Sequence, residues 1–172
     1  MMRPLLLAFC AATSLTACAD RTTFVCSFPS PAPLALGDRM PDDFGIALWT
    51  YDDATPRSAI DVSVGGDGHG HWRVWVPATK TEIARGALRL DSAQVASVWK
   101  AVLDARFDVI DAGTPSPDVC SGGASGIERF AVFAGGAERY VWRASDAADV
   151  APIRKAVLDL VPPDVAAPLT SR

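Results

Sequence analysis

The stretch Ile60-Asp61-Val62-Ser63-Val64-Gly65-Gly66-Asp67-Gly68-His69-Gly70-His71-Trp72-Arg73-Val74-Trp75-Val76 decides the fold. Apolar residues alternate with polar ones on both sides of a glycine-rich centre, and period-two alternation flanking such a centre is the pattern of a β-hairpin. Pairing Val64 with Trp72, Val62 with Val74 and Ile60 with Val76 gathers the apolar residues on one face. It places Asp61 diagonally near Arg73 on the other. A tighter two-residue Asp67-Gly68 turn would oppose Val64 with His71 and mix the faces, so the wider loop is expected.

Outward from this hairpin, Phe44 to Tyr51 and Thr81 to Leu88 read as further strands. Ile127 to Ala134 and Glu138 to Arg143 read as a second hairpin around Gly135 and Gly136. A first helix starts at Asp91, where Gln94 can complete a capping box and Leu90 can staple against Val95. Its core stripe is Val95, Val98, Trp99, Val102 and Leu103. A second begins near Asp149, tolerates Pro152 in its first turn, and carries Ile153, Val157, Leu160 and Val161 before Pro162 stops it. The run Lys-Ala-Val-Leu-Asp occurs in both helices, at Lys100 and at Lys155. Each helix follows a hairpin, which suggests two copies of a ββα unit, the first with an extra strand. Convergence of two Ala- and Val-rich helices is the alternative. The expected class is α+β: a two-layer sandwich, an antiparallel sheet with two helices on one face.

The whole chain of 172 residues is 49% hydrophobic and 21% charged, a composition for one globular domain. Sixteen basic against twenty acidic residues give a net charge of −4. That balance disfavours nucleic acid as a partner, because neutralising phosphates calls for a basic surface.

The N-terminus begins with Arg3 and the apolar run Leu5 to Ala12, too short to span a bilayer as a mature helix, and reads as a secretion signal. It ends Leu15-Thr16-Ala17-Cys18, which resembles the lipobox of bacterial lipoproteins. That resemblance implies cleavage before Cys18, a diacylglycerol on its thiol and an acylated amine, several chains that together hold the protein on a membrane. Ordinary cleavage after Ala19 is the alternative, since Ala17-Cys18-Ala19 also fits a small-residue site. Ala19, rather than aspartate, follows the cysteine, and the sorting pattern of enterobacterial lipoproteins then implies an outer-membrane lipoprotein facing the periplasm, with the inner membrane as the alternative. With Cys10 lost in the leader and Cys18 acylated, Cys26 and Cys120 remain as thiols in an oxidising compartment, where a disulfide is expected. Two unpaired thiols are the alternative, since no spacing rule forces contact. The expected organisation is a signal peptide at 1–17, a lipidated cysteine with a Pro-rich tether at 18–43, one domain at 44–161 and a loose tail at 162–172. The layout of the mature domain resembles uncharacterised envelope lipoprotein domains and, distantly, the duplicated sandwich inhibitors of β-lactamase. No functional residue carries over from either.

If Phe130, Val132, Tyr140 and Trp142 face the helices, the opposite side of the sheet shows Arg129, Phe133, Arg139, Val141 and Arg143, joined by Arg73 and Trp75 from the first hairpin. Arginine and aromatic side chains supply interface hot spots, so this face is the expected binding surface for an envelope protein or an anionic polymer. The competing expectation is mutual cover, with arginines lying over the rings. No cofactor, catalytic constellation or metal site is expected. His69 and His71 beside Asp67 form at best a weak metal site, because a closed zinc site wants four ligands. Asp108 and Asp111 are the carboxylates available to an unusual hydrolase. Gly123-Ala124-Ser125-Gly126-Ile127 departs from a nucleophile elbow at its last position and leads into a strand, and Asp42-Asp43 and Asp52-Asp53 lack calcium-loop spacing.

Overall fold

The computed structural model describes residues 33–52, 58–76, 79–113 and 126–170. The leader, Cys18, Cys26, Cys120 and the Gly123-Ala124-Ser125 segment lie outside the described residues, and the expectations placed on them do too. The elements run β1 Gly45–Asp52, β2 Ser58–Gly65, β3 His69–Val76, β4 Thr81–Arg89, α1 Ser92–Asp104, β5 Ile127–Ala134, β6 Ala137–Ala144, α2 Ala151–Leu158 and α3 Pro163–Thr170. The six strands form one sheet in the order β4-β3-β2-β1-β5-β6, every neighbouring pair antiparallel. The fold is therefore mixed α+β.

The first hairpin forms with its faces as expected, but its register lies two residues away. Val64 pairs with Gly70, Val62 with Trp72, Ile60 with Val74, and Asp61 stands directly opposite Arg73. The cause is a three-residue turn. The Gly68 N–H donates to Gly65 O at 3.0 Å, and Gly68 has φ 77, a conformation that costs glycine nothing. A shift of two preserves parity, so the apolar set keeps its face. The β3–β4 register shifts at Val74/Trp75, and Ile83 stands out at that irregularity. In the second hairpin Gly135 and Gly136, with φ 61 and 74, make the two-residue turn that matches strand twist.

Asp91 caps α1 as its sequence suggests: its carboxylate accepts from Gln94 N at 2.8 Å, and Gln94 Oε1 accepts from Asp91 N at 3.0 Å. Val95, Val98, Trp99 and Val102 are buried, and Leu103 partly so. In α2, Pro152 occupies the first turn and Ile153, Val157 and Leu158 are buried. α1 and α2 pack on each other. Their side chains share one core with Ile46, Leu48, Ile60, Val62, Val64, Phe130, Val132 and Val141, the inward residues of four strands, each worth roughly 1.5–3 kcal/mol when fully buried.

Both expected domain limits move. Leu34 is buried in this core, with Leu36 and Met40 packed against it, so the segment assigned to the tether has joined the domain by residue 34. The tail forms α3 instead of a loose end: proline suits its first position, Ala166 is buried, and the helix packs near β1. The sheet does not confirm a duplicated ββα unit: β2–β3 and β5–β6 lie on opposite sides of β1 with their apolar faces turned the same way, and β4 stands between the first hairpin and α1. Among the described residues no helix is long and apolar enough to cross a membrane.

Candidate functional site

Alternation along the strands leaves a second sheet face whose residues point away from the shared core. The pairing registers bring one residue from each strand into a single row across it: Trp142, Arg129, Trp49, Asp61, Arg73 and Arg85. Beside it runs a row of mostly small residues, Ala131, Ala47, Ser63, His71 and Ala87, ending at Tyr140. Phe133, 40% exposed, stands beyond that row on β5, where its ring lies next to Gly45.

The two ends of the main row differ in how their charge is satisfied. At the β2–β3 end Asp61 is buried and accepts from Arg73 Nη2 and from Arg73 Nε at 3.1 Å, while Trp75 Nε1 donates to its other oxygen at 3.1 Å. The Asp61 carboxylate raises the Arg73 pKa above the ordinary arginine value. Arg73 also lies 5.6 Å from the Trp75 ring centroid. Here the mutual-cover expectation describes what is seen. At the β1–β5–β6 end the Arg129 guanidinium sits 4.1 Å from the Trp49 centroid, 4.2 Å from that of Tyr140 and 5.7 Å from that of Trp142. No carboxylate pairs with Arg129 among the described residues, and its buried Nε has no hydrogen-bond partner there. Burial first, and then a hydrogen bond to Glu138, raises the Tyr140 pKa.

Arg73, Trp75, Arg129 and Phe133 therefore share the face expected of them. Arg139 and Arg143 do not, and neither does Val141. A two-residue turn pairs Ala134 with Ala137, so Phe130 opposes Val141 and Val132 opposes Arg139. Odd-numbered residues of β6 accordingly join even-numbered residues of β5. Arg139 is 9% exposed and donates through Nη2 to Ile110 O at 2.5 Å. Arg143 donates through Nε to Asp149 at 2.9 Å and through Nη1 to Trp142 O at 2.8 Å. Tyr140 and Trp142, expected inward, point outward and build the Arg129 cage. The turn length carried that signal. Trp49 was not legible in the same way, because β1 meets β5 through pairing of strands far apart in sequence.

The other candidates come apart. His71 lies 3.0 Å from Ser63 Oγ through Nδ1, His69 lies at the end of its strand, and among the described residues no three His, Cys, Asp or Glu side chains converge on a metal position. Asp108 pairs with Arg106 at 3.5 Å, and Asp111 accepts from Gly113 N at 3.3 Å. Glu128 is a second buried carboxylate, on the core side whereas Asp61 is on the outward face, and it accepts from Thr50 Oγ1 at 2.7 Å and from Arg154 Nε at 2.8 Å. Its parity with Phe130 and Val132 was the sequence signal for that burial.

No protein-family model matches the chain, and no curated protein matches it.

Proposed function

We propose that this chain is a membrane-anchored lipoprotein of the bacterial cell envelope, held through acylated Cys18 and facing the periplasm from the outer membrane. In this reading it is a non-enzymatic two-layer domain that binds an anionic envelope polymer. The sheet is one layer and the helices are the other, covering the core side and leaving the Trp142–Arg85 row for the partner. The observation that carries the reading is the split along that row: Arg73 is neutralised by Asp61, whereas Arg129 lies between the Trp49 and Tyr140 rings and meets no carboxylate among the described residues. Arginine and aromatic side chains combine large contact area with directed donors. The Leu15-Thr16-Ala17-Cys18 motif supports the anchor.

The test uses the full chain in a Gram-negative host supplied with a palmitate analogue, with a photo-crosslinking residue at Phe133 or, as control, at exposed Ile83 on β4. Palmitate label dependent on Cys18 and a polymeric adduct at position 133 alone are expected. A discrete protein adduct at 133 would replace the polymer by a protein partner. Equal yields at the two positions would remove the face from the function, and label retained in Cys18→Ala would remove the anchor.

A further inference from the structure

We infer that Arg129 is a carboxylate receptor, with Trp49 and Tyr140 as the walls that orient it. The inference rests on the binding-face reading above and specifies its ligand class. β5 lies between β1 and β6, so Trp49 and Tyr140 approach Arg129 from neighbouring strands on either side. A guanidinium flanked by rings keeps its donors in its own plane, where stacking leaves them unspent. The ring faces hold the cation through their quadrupoles, and the Tyr140 hydroxyl accepts one hydrogen bond from it. The described arginines that form ion pairs show the contrast: Arg73, Arg85, Arg106, Arg143 and Arg154 each meet a carboxylate. Arg129 meets none among the described residues, and its buried Nε lacks a partner there.

A charged group in this state is completed by an anion, and the geometry selects which anion. A carboxylate is planar and accepts two parallel N–H bonds in the plane of the guanidinium. It can therefore enter edge-on between the two rings. A tetrahedral phosphate carries oxygens above and below that plane, on the sides the rings occupy.

The experiment is fluorescence anisotropy of labelled poly-L-glutamate and of labelled polyphosphate, titrated with the full chain in detergent at matched ionic strength. Wild type is expected to bind poly-L-glutamate more tightly than polyphosphate. Arg129→Gln, which keeps a planar donor but loses the charge and the fork, is expected to weaken poly-L-glutamate binding about tenfold or more. Arg129→Lys keeps the charge and is expected to lose the preference between the polymers. Lys100→Gln, on α1 and off the sheet face, is expected to bind within about twofold of wild type, as an exposed charge already paired with Asp104 should. Each variant is checked for a wild-type circular dichroism spectrum, and the lysine variant carries the test if the glutamine variant does not fold. Polyphosphate bound as tightly as poly-L-glutamate by wild type, no binding of either polymer, or a lysine variant with the wild-type preference would overturn the inference. Crosslinking at Phe133 that persists alongside any of these results leaves the face in use and removes only the carboxylate.

Discussion

Arg154 Nε lies 2.8 Å from Glu128 Oε1, and the Glu128 side chain it meets is 1% exposed. The pair joins α2 to β5 on the core side, and Thr50 on β1 completes the acceptor by donating to the same carboxylate. Truncating one partner of a buried pair leaves an uncompensated charge. Arg154→Ala should therefore lower stability by about 3 kcal/mol in urea denaturation. Replacing both residues with leucine removes the charge along with its partner and should cost less than the two single replacements together, by at least about 1 kcal/mol. Strict additivity of the three variants would show that the two groups do not act as a pair.

Asp61 on the outward face holds a different balance. Arg73 is opposite both Asp61 and Arg85, and like charges directly across a ladder repel. Asp61→Ala removes the acceptor of Arg73 and Trp75 and leaves the two arginines facing each other. A loss of about 1–3 kcal/mol is expected. Part of that loss should return in high salt, because screening weakens the exposed repulsion more than it restores a lost hydrogen bond. A loss independent of salt would assign the whole effect to the Trp75 and Arg73 hydrogen bonds.

These two sites show why the chain was legible in parts. Strand faces in the first hairpin follow from period-two alternation, and a register slip of two residues leaves them intact, so Asp61, Arg73 and Trp75 were placed on the right side despite the wrong loop. The α1 cap depends on residues three apart and was legible for the same local reason. In the second hairpin a parity error moved Arg139 and Arg143 to the wrong face, although the Gly135-Gly136 turn fixes that parity once its length is taken literally. The Arg129 cage needed a third strand, β1, whose pairing with β5 bridges about eighty residues and leaves no local trace. Leu34 was hidden by its proline neighbours, whose extended backbone suits a tether and equally suits a strap across the core.

Asp43 ties the start of β1 to the tip of the second hairpin. Its carboxylate accepts from Gly135 N at 2.8 Å and from Gly136 N at 2.5 Å. The Gly136 bond first, and then that of Gly135, lowers the Asp43 pKa below the ordinary aspartate value. Folding a group with a depressed pKa adds stability that is present above the unfolded pKa, and it is lost as pH falls through the folded one. Asp43→Asn should thus melt below wild type at neutral pH. The two melting curves should converge as pH drops below about 4. A gap that stays constant into acid would mean that the carboxylate charge contributes nothing at the turn.

The end of α1 and the turn of the first hairpin make opposite demands on the same region of backbone space. Arg106 has φ 51 at the position after the α1 cap, where its N–H donates to Leu103 O at 2.9 Å and Phe107 N donates to Val102 O at 3.3 Å. This double bond pattern closes a helix most readily with glycine, and any other L-residue there carries about 1–2 kcal/mol of strain. The exposed pair of Arg106 with Asp108 at 3.5 Å returns little of that. Arg106→Gly should raise stability by about 1 kcal/mol, reduced from the full strain by the entropy glycine adds to the unfolded chain. Gly68→Ala should do the reverse with greater force, since a Cβ there would stand 2.5 Å from Leu90 O in addition to adopting φ 77. Its urea midpoint should fall well below that of Gly135→Ala, where φ is 61 but a Cβ meets nothing within 4 Å. Equal losses at the two glycines would mean that the Leu90 carbonyl yields without cost, and that the β2–β3 turn is not clamped to the start of α1.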